Sequence, residues 1–181
     1  MKGIHQYFFI AAMLIASSSY GQLTLEGGIA SLPRLSLNKQ TRSTNQYAKI
    51  GWQKDNWNFG GIGYLRTNVD GAKRNYSYGV FGNYTIEPFK KVPIIFVPEI
   101  QLLRTDKIYN LGFLQSQTLM TANLSLGVGY KFNEKLSVLS TINVGYGISK
   151  TNPKSIYQSK YVYDYPAWLS LGVKYIFKGK D

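Results

Sequence analysis

Two stretches of eight residues, Ser125-Leu-Gly-Val-Gly-Tyr-Lys-Phe132 and Ser170-Leu-Gly-Val-Lys-Tyr-Ile-Phe177, agree at six positions. Each alternates apolar with small or polar residues, and each has aromatics two residues apart at its end. Alternation at period two places successive side chains on opposite faces of a strand, which no helix can exploit. An amphipathic strand repeated within one chain implies a sheet built from hairpins. No window beyond the first residues holds the ~18 continuous apolar residues that a membrane helix needs.

Read at this period, the chain divides into eight strands. The first, 23–31, sets Leu23, Leu25 and Ile29 against Thr24, Glu26, Gly28 and Ala30. The second and third, 46–52 and 57–66, flank a tight turn at 54–56. The fourth, 75–86, places Tyr76, Tyr78, Val80, Tyr84 and Ile86 on one face. The fifth, 92–104, contains Pro93 and Pro98, which lack ladder donors, so a bulge or a shortened strand is expected. The sixth, seventh and eighth cover 117–132, 136–149 and 166–177. Long loops at 38–45, 68–74, 105–116 and 150–165 alternate with short turns. An up-and-down antiparallel sheet then gathers the long loops at one end, and the short turns and both termini at the other. This is the layout of a transmembrane barrel, an all-β class, with periplasmic turns and outside loops.

The start of the chain is an address. Lys2 precedes an apolar core at 7–16, and small residues follow at 17–21. This order reads as a secretory signal peptide over 1–21, cut between Gly21 and Gln22, ahead of a barrel domain at 22–181. Ten apolar residues cover only about half of a ~30 Å hydrocarbon core, which argues against an anchor.

Alternation alone does not separate a soluble barrel from a membrane barrel, but the contents of the second face do. Gly, Ser, Asn and Thr with occasional Glu or Lys make a poor soluble core, because an unpaired buried polar group costs roughly 1–3 kcal/mol. In a narrow membrane barrel the same residues fill the lumen and bond to one another. The aromatics Trp52, Trp57, Tyr84, Tyr130, Phe132, Tyr175 and Phe177 fall beside the short turns, as an interfacial girdle requires. Trp168, with Tyr163, Tyr165, Tyr76 and Tyr78, is assigned to the belt at the other end. The expected partners are outer-membrane lipid and the machinery that assembles barrels.

The pattern Ser170-x-Gly172-x-x-Tyr175-x-Phe177 resembles the assembly signal of outer-membrane barrels. The whole chain after residue 21 is similar to the small eight-stranded outer-membrane barrels of OmpX/OmpA type. It departs from their signal in that Lys178-Gly-Lys-Asp181 follow the last aromatic. The resemblance implies a Gram-negative envelope and localisation in the bacterial outer membrane.

The ionisable residues expected to face the lumen are Glu26, Lys49, Glu99, Lys131 and Lys174. Eight strands leave an interior just wide enough for side chains, so an ion-pair network plugging the barrel is favoured over a gated pore. The sequence has no cysteine, and its one histidine, His5, lies in the signal. Acyl-transferring or peptide-cleaving barrels resemble one another in using a histidine base, so the chain reads as no enzyme. The nine acids form no Ca²⁺-loop spacing, and no cofactor is implied. A net charge of +12 raises nucleic acid as a partner, but the 21 Lys and Arg are scattered and no nucleic-acid motif accompanies them. Arg34, Lys39, Arg42, Arg66, Lys73, Arg74, Arg104, Lys107, Lys150, Lys154 and Lys160 crowd the outside loops, which suits an anionic surface lipid or polymer. Three functions follow: a non-enzymatic barrel for surface interaction or envelope stability, a narrow channel or carrier for small solutes, and a soluble periplasmic ligand-binding barrel.

Overall fold

The computed structural model describes residues 21–32, 43–67, 72–89, 91–111, 113–151, 161–164 and 166–177. The expected signal core therefore lies outside the described residues, as do most residues of the expected loops at 38–45 and 150–165. No helix occurs among the described residues. The strands are β1 (Gln22–Leu32), β2 (Ser43–Lys54), β3 (Trp57–Thr67), β4 (Ala72–Tyr84), β5 (Ile94–Leu111), β6 (Phe113–Lys131), β7 (Leu136–Thr151), β8 (Tyr161–Asp164) and β9 (Ala167–Phe177). Each is antiparallel to its neighbours, in the order β6-β5-β4-β3-β2-β1-β9-β7, and β6 pairs with β7 to close the ring.

β8 and β9 form one stave of the barrel. Both pair with β7 in the same register, Gly147↔Asp164 continuing as Val144↔Ala167. Pro166, between them, lacks an N–H, while its carbonyl still accepts from Gly145 N at 2.8 Å. The barrel therefore has eight staves.

Cross-strand partners fix the stagger. From Gln22 the path runs through Gln53, Asn58, Asn83, Glu99, Ser125 and Asn143 to Trp168. Trp168 adjoins Leu169, the partner of Ser31, so the path regains β1 ten residues from its start. A shear of that size tilts eight strands by about 35–45° and leaves a lumen that side chains fill.

Two expectations about the strands are corrected. β5 starts just past Pro93, as a shortened strand would, but it carries no bulge and pairs with β6 without interruption from Ile94 to Leu111. Phe96 exchanges both backbone hydrogen bonds with Ile86, at 2.8 and 2.9 Å, so Pro98, two residues on, also faces β4. The regular β4–β5 ladder stops at Asn83↔Glu99, and Pro98 occupies a position where its missing donor breaks no continuous run. The expected loop at 105–116 is almost entirely strand, because β5 and β6 reach Leu111↔Phe113. Strands of 18 and 19 residues exceed the 9–11 that a tilted crossing requires. Alternation of side-chain polarity has no cause above a bilayer, and the apolar residues of this stretch, Ile108, Tyr109, Leu111, Phe113 and Leu114, fall on both parities. The connection at 85–93 is also longer than its expected short turn.

The two faces of the wall are opposite in character. Leu124, Ile142 and Phe132 on the outside are 60–61% exposed, whereas Gln101, Asn123 and Asn143 inside are at 1%. β9 alternates exposed and buried from Ala167 to Lys174. A soluble barrel would show the reverse arrangement.

Candidate functional site in the lumen

Lys49 on β2 points inward beside its cross-strand partner Glu26 on β1. Its Nζ lies 3.1 Å from a Glu26 oxygen and 2.8 and 2.9 Å from the two oxygens of Glu99, which reaches in from β5. All three residues are at most 6% exposed. Neutral donors add to both carboxylates. Tyr47 Oη donates to Glu26 at 3.0 Å, Asn83 Nδ2 donates to Glu99 at 2.8 Å, and Gln101 Nε2 donates to the other Glu99 oxygen. The Lys49 ammonium lies 5.6 Å from the centroid of Tyr47 and 5.3 Å from that of Phe81. Charges removed from water are tolerated when paired and hydrogen-bonded, and here one ammonium is shared between two carboxylates that also accept from neutral donors.

The network continues toward the loop end. Tyr64 Oη donates to Gln101 at 3.2 Å, and Gln101 Nε2 also reaches Asn143 Oδ1 at 3.3 Å. Asn143 accepts from Ser125 and donates to Ser170 at 3.4 Å. An apolar collar of Ala30, Ile62, Tyr64, Phe81, Leu103 and Trp168 packs around it.

The five ionisable residues assigned to one lumenal network do not all meet. Glu26, Lys49 and Glu99 form its centre. Lys174 is the other cross-strand partner of Glu26, but it turns to the end that carries the short turns and donates to Gln53 Oε1 at 3.0 Å. Lys131 is placed apart: it sits at the mouth of the same end, one-third exposed, and pairs with Glu87 at 2.6 Å. It shares the inward parity of Ser125 but is too close to the turn at 132–135 to reach the centre. The parity that identified Lys49 and Glu99 also marks Tyr47 and Gln101, two residues away on the same strands.

Most of the expected aromatic girdle is assembled. Trp57 stacks on Phe59 at 5.7 Å and meets Tyr84 edge-on at 4.8 Å. Tyr130 pairs with Phe132 at 5.1 Å, and Tyr175 with Phe177 at 4.8 Å. Trp52 lies on the same outer wall, half-buried beside its partners Leu23 and Phe59. Trp168 does not belong to a belt. It is 6% exposed inside the lumen and packs edge-on against Tyr64 at 6.0 Å. Its parity with Ser170, Gly172 and Lys174 requires this, and proximity to a strand end had outweighed parity.

Within the assembly-signal pattern, Ser170 and Gly172 face the lumen while Tyr175 and Phe177 face outward. A Cβ on Gly172 would overlap the hydroxyl of Tyr47, so this glycine makes room for the tyrosine that binds Glu26.

A closed eight-stranded barrel with an apolar exterior and a polar interior has the fold of a transmembrane β-barrel. No protein-family model matches the sequence, and neither does any curated protein. Solved structures do match in fold. The N-terminal barrel of Pseudomonas aeruginosa OprF aligns at TM-score 0.58 and 15% identity, covering 87% of this chain and 99% of that one. Outer membrane protein OprG of the same organism aligns at TM-score 0.57 and 12% identity over 88% and 97%. Neisserial surface protein A aligns at TM-score 0.52 and 15% identity over 86% and 96%. The chain is thus similar in architecture to small outer-membrane barrels along nearly their full lengths.

Proposed function

We propose that the chain is a non-enzymatic outer-membrane protein whose barrel is a sealed anchor, and that its function lies in surface interaction or envelope stability. In this reading the segment ending at Gly21 is a cleaved signal, the turn end faces the periplasm, and the β5–β6 hairpin stands outside. The observation that carries it is the Glu26–Lys49–Glu99 cluster, which ties β1, β2 and β5 together across the lumen. The extended β5–β6 hairpin supports a surface role, and one protein similar in fold is by name a surface protein. The sequence adds support for the non-enzymatic part, with no cysteine and only His5.

Planar-bilayer recording tests the sealed lumen against a channel. The expected result is no discrete openings from the wild-type protein. Salt-dependent openings that disappear in Glu99→Ala would establish a channel. Fractionation with heat-modifiable gel mobility tests the location, and recovery of the protein in the periplasmic extract would overturn it.

A further inference from the structure

On β5 the outer wall departs from its apolar character and carries a charged pair. Along β5 the outward residues run Ile100, Leu102, Arg104, Asp106, the first two being 58% and 55% exposed. Asp106 Oδ1 accepts from Arg104 Nε at 3.2 Å and from Thr118 Oγ1 of β6 at 3.1 Å. Its Oδ2 accepts from Tyr78 Oη of β4 at 3.3 Å. Three adjacent strands therefore converge on one carboxylate, which in turn holds one guanidinium by its inner nitrogen.

The register sets the height of this cluster. Arg104 lies between Tyr78 and Met120, and the level below it is Val80, Leu102 and Ala122. The level above is Tyr76, Asp106 and Thr118. The cluster thus sits where the apolar wall ends and tyrosines begin, the place of a membrane–water interface. An exposed Arg–Asp pair adds little to stability, so stabilisation is a poor account of three side chains spent on orienting it.

We propose that Arg104 is a binding site on the lipid-facing wall for the phosphate of a lipid headgroup in the outer leaflet. This rests on the membrane reading above. A bond through Nε leaves the two terminal nitrogens of the guanidinium to the surroundings, and these form the fork that matches a phosphate bidentately. Asp106 fixes the plane of that fork, while the Tyr78 and Thr118 hydroxyls offset the carboxylate's charge toward an incoming anion. Leu102, Ile100 and Leu124 beneath it offer an apolar track for the acyl chains of the same lipid. A free anion would have no use for that track. Arg104 binds the ligand, and Asp106 is a positioning residue.

The test uses the full chain folded in detergent micelles, with native mass spectrometry reading retention of a diphosphorylated lipid A and of its dephosphorylated form. The wild type retains the phosphorylated lipid, Arg104→Ala weakens that binding about tenfold, and Arg104→Lys falls between, as loss of a bidentate contact predicts. The dephosphorylated lipid binds wild type and Arg104→Ala alike. Unchanged retention by a folded Arg104→Ala barrel overturns the proposal. So does displacement by inorganic phosphate at lipid-like concentrations, because the site would then accept any phosphate. A wild-type chain that never reaches the heat-modifiable form refutes the membrane reading itself, which distinguishes that failure from loss of phosphate selectivity in a folded barrel.

Discussion

Replacing Lys49 with Met keeps the length of the side chain and removes the cation between two buried carboxylates. Glu26 and Glu99 are then left facing each other, Glu26 with only Tyr47 Oη at 3.0 Å and Glu99 with the amides of Asn83 and Gln101. Removing one partner from a buried ion pair costs about 3–5 kcal/mol, largely because the remaining charge is uncompensated. With two acids affected, Lys49→Met belongs at the upper part of that range, near a thousandfold change in the folding equilibrium. Adding Glu26→Gln and Glu99→Gln removes the charge and keeps one carbonyl acceptor at each position, for Tyr47 at 26 and for one of Asn83 and Gln101 at 99, and it restores about 2 kcal/mol or more. Urea unfolding in lipid vesicles, followed by tryptophan fluorescence and heat-modifiable mobility, measures both effects. A Lys49→Met barrel within 1 kcal/mol of wild type would refute the reasoning, and so would a triple variant no more stable than the single one.

Gly172→Ala puts a methyl group against the Tyr47 hydroxyl and destabilises the folded barrel by about 1–3 kcal/mol, read as a shift in the urea midpoint. Normal stability after refolding, combined with poor assembly in cells, would instead make Gly172 a recognition element and not a packing one. The three tryptophans should report their surroundings individually to brominated lipid. Trp57, on the outer wall, is strongly quenched, whereas a Trp52→Phe/Trp57→Phe variant retaining only Trp168 is quenched little. Strong quenching of Trp168 would place it back in the lipid.

Parity accounts for what was legible in advance. A side chain on a strand points in or out according to its number alone, so Glu26, Lys49 and Glu99 could be assigned to the lumen from sequence. Which of them touch was not legible, because contact across a barrel depends on shear, and shear depends on register between strands that may be distant in sequence. Lys131 shows this: its face was assigned from parity, yet its height separates it from Lys49. Trp168 is the opposite case: the preference of tryptophan for interfaces points to a belt, the parity of its strand points to the lumen, and parity prevails. The hairpin of β5 and β6 is hidden in the sequence because its apolar residues, Ile108, Tyr109, Leu111, Phe113 and Leu114, fall on both parities and show no sustained period of two.

The closing contact between β1 and β9 has a consequence for how the barrel is made. Its register joins Leu23 to Phe177, nearly opposite ends of the described chain, and β9 is also the partner of β7. Until β9 arrives, β1 and β7 each present an unpaired edge, next to a wall whose outer residues are apolar. Loop closure over that separation is slow, and open edges beside apolar faces are the surfaces through which chains aggregate. β9 is therefore the strand that ends the hazard, and the unclosed chain must be kept from its own copies for the whole interval before it pairs.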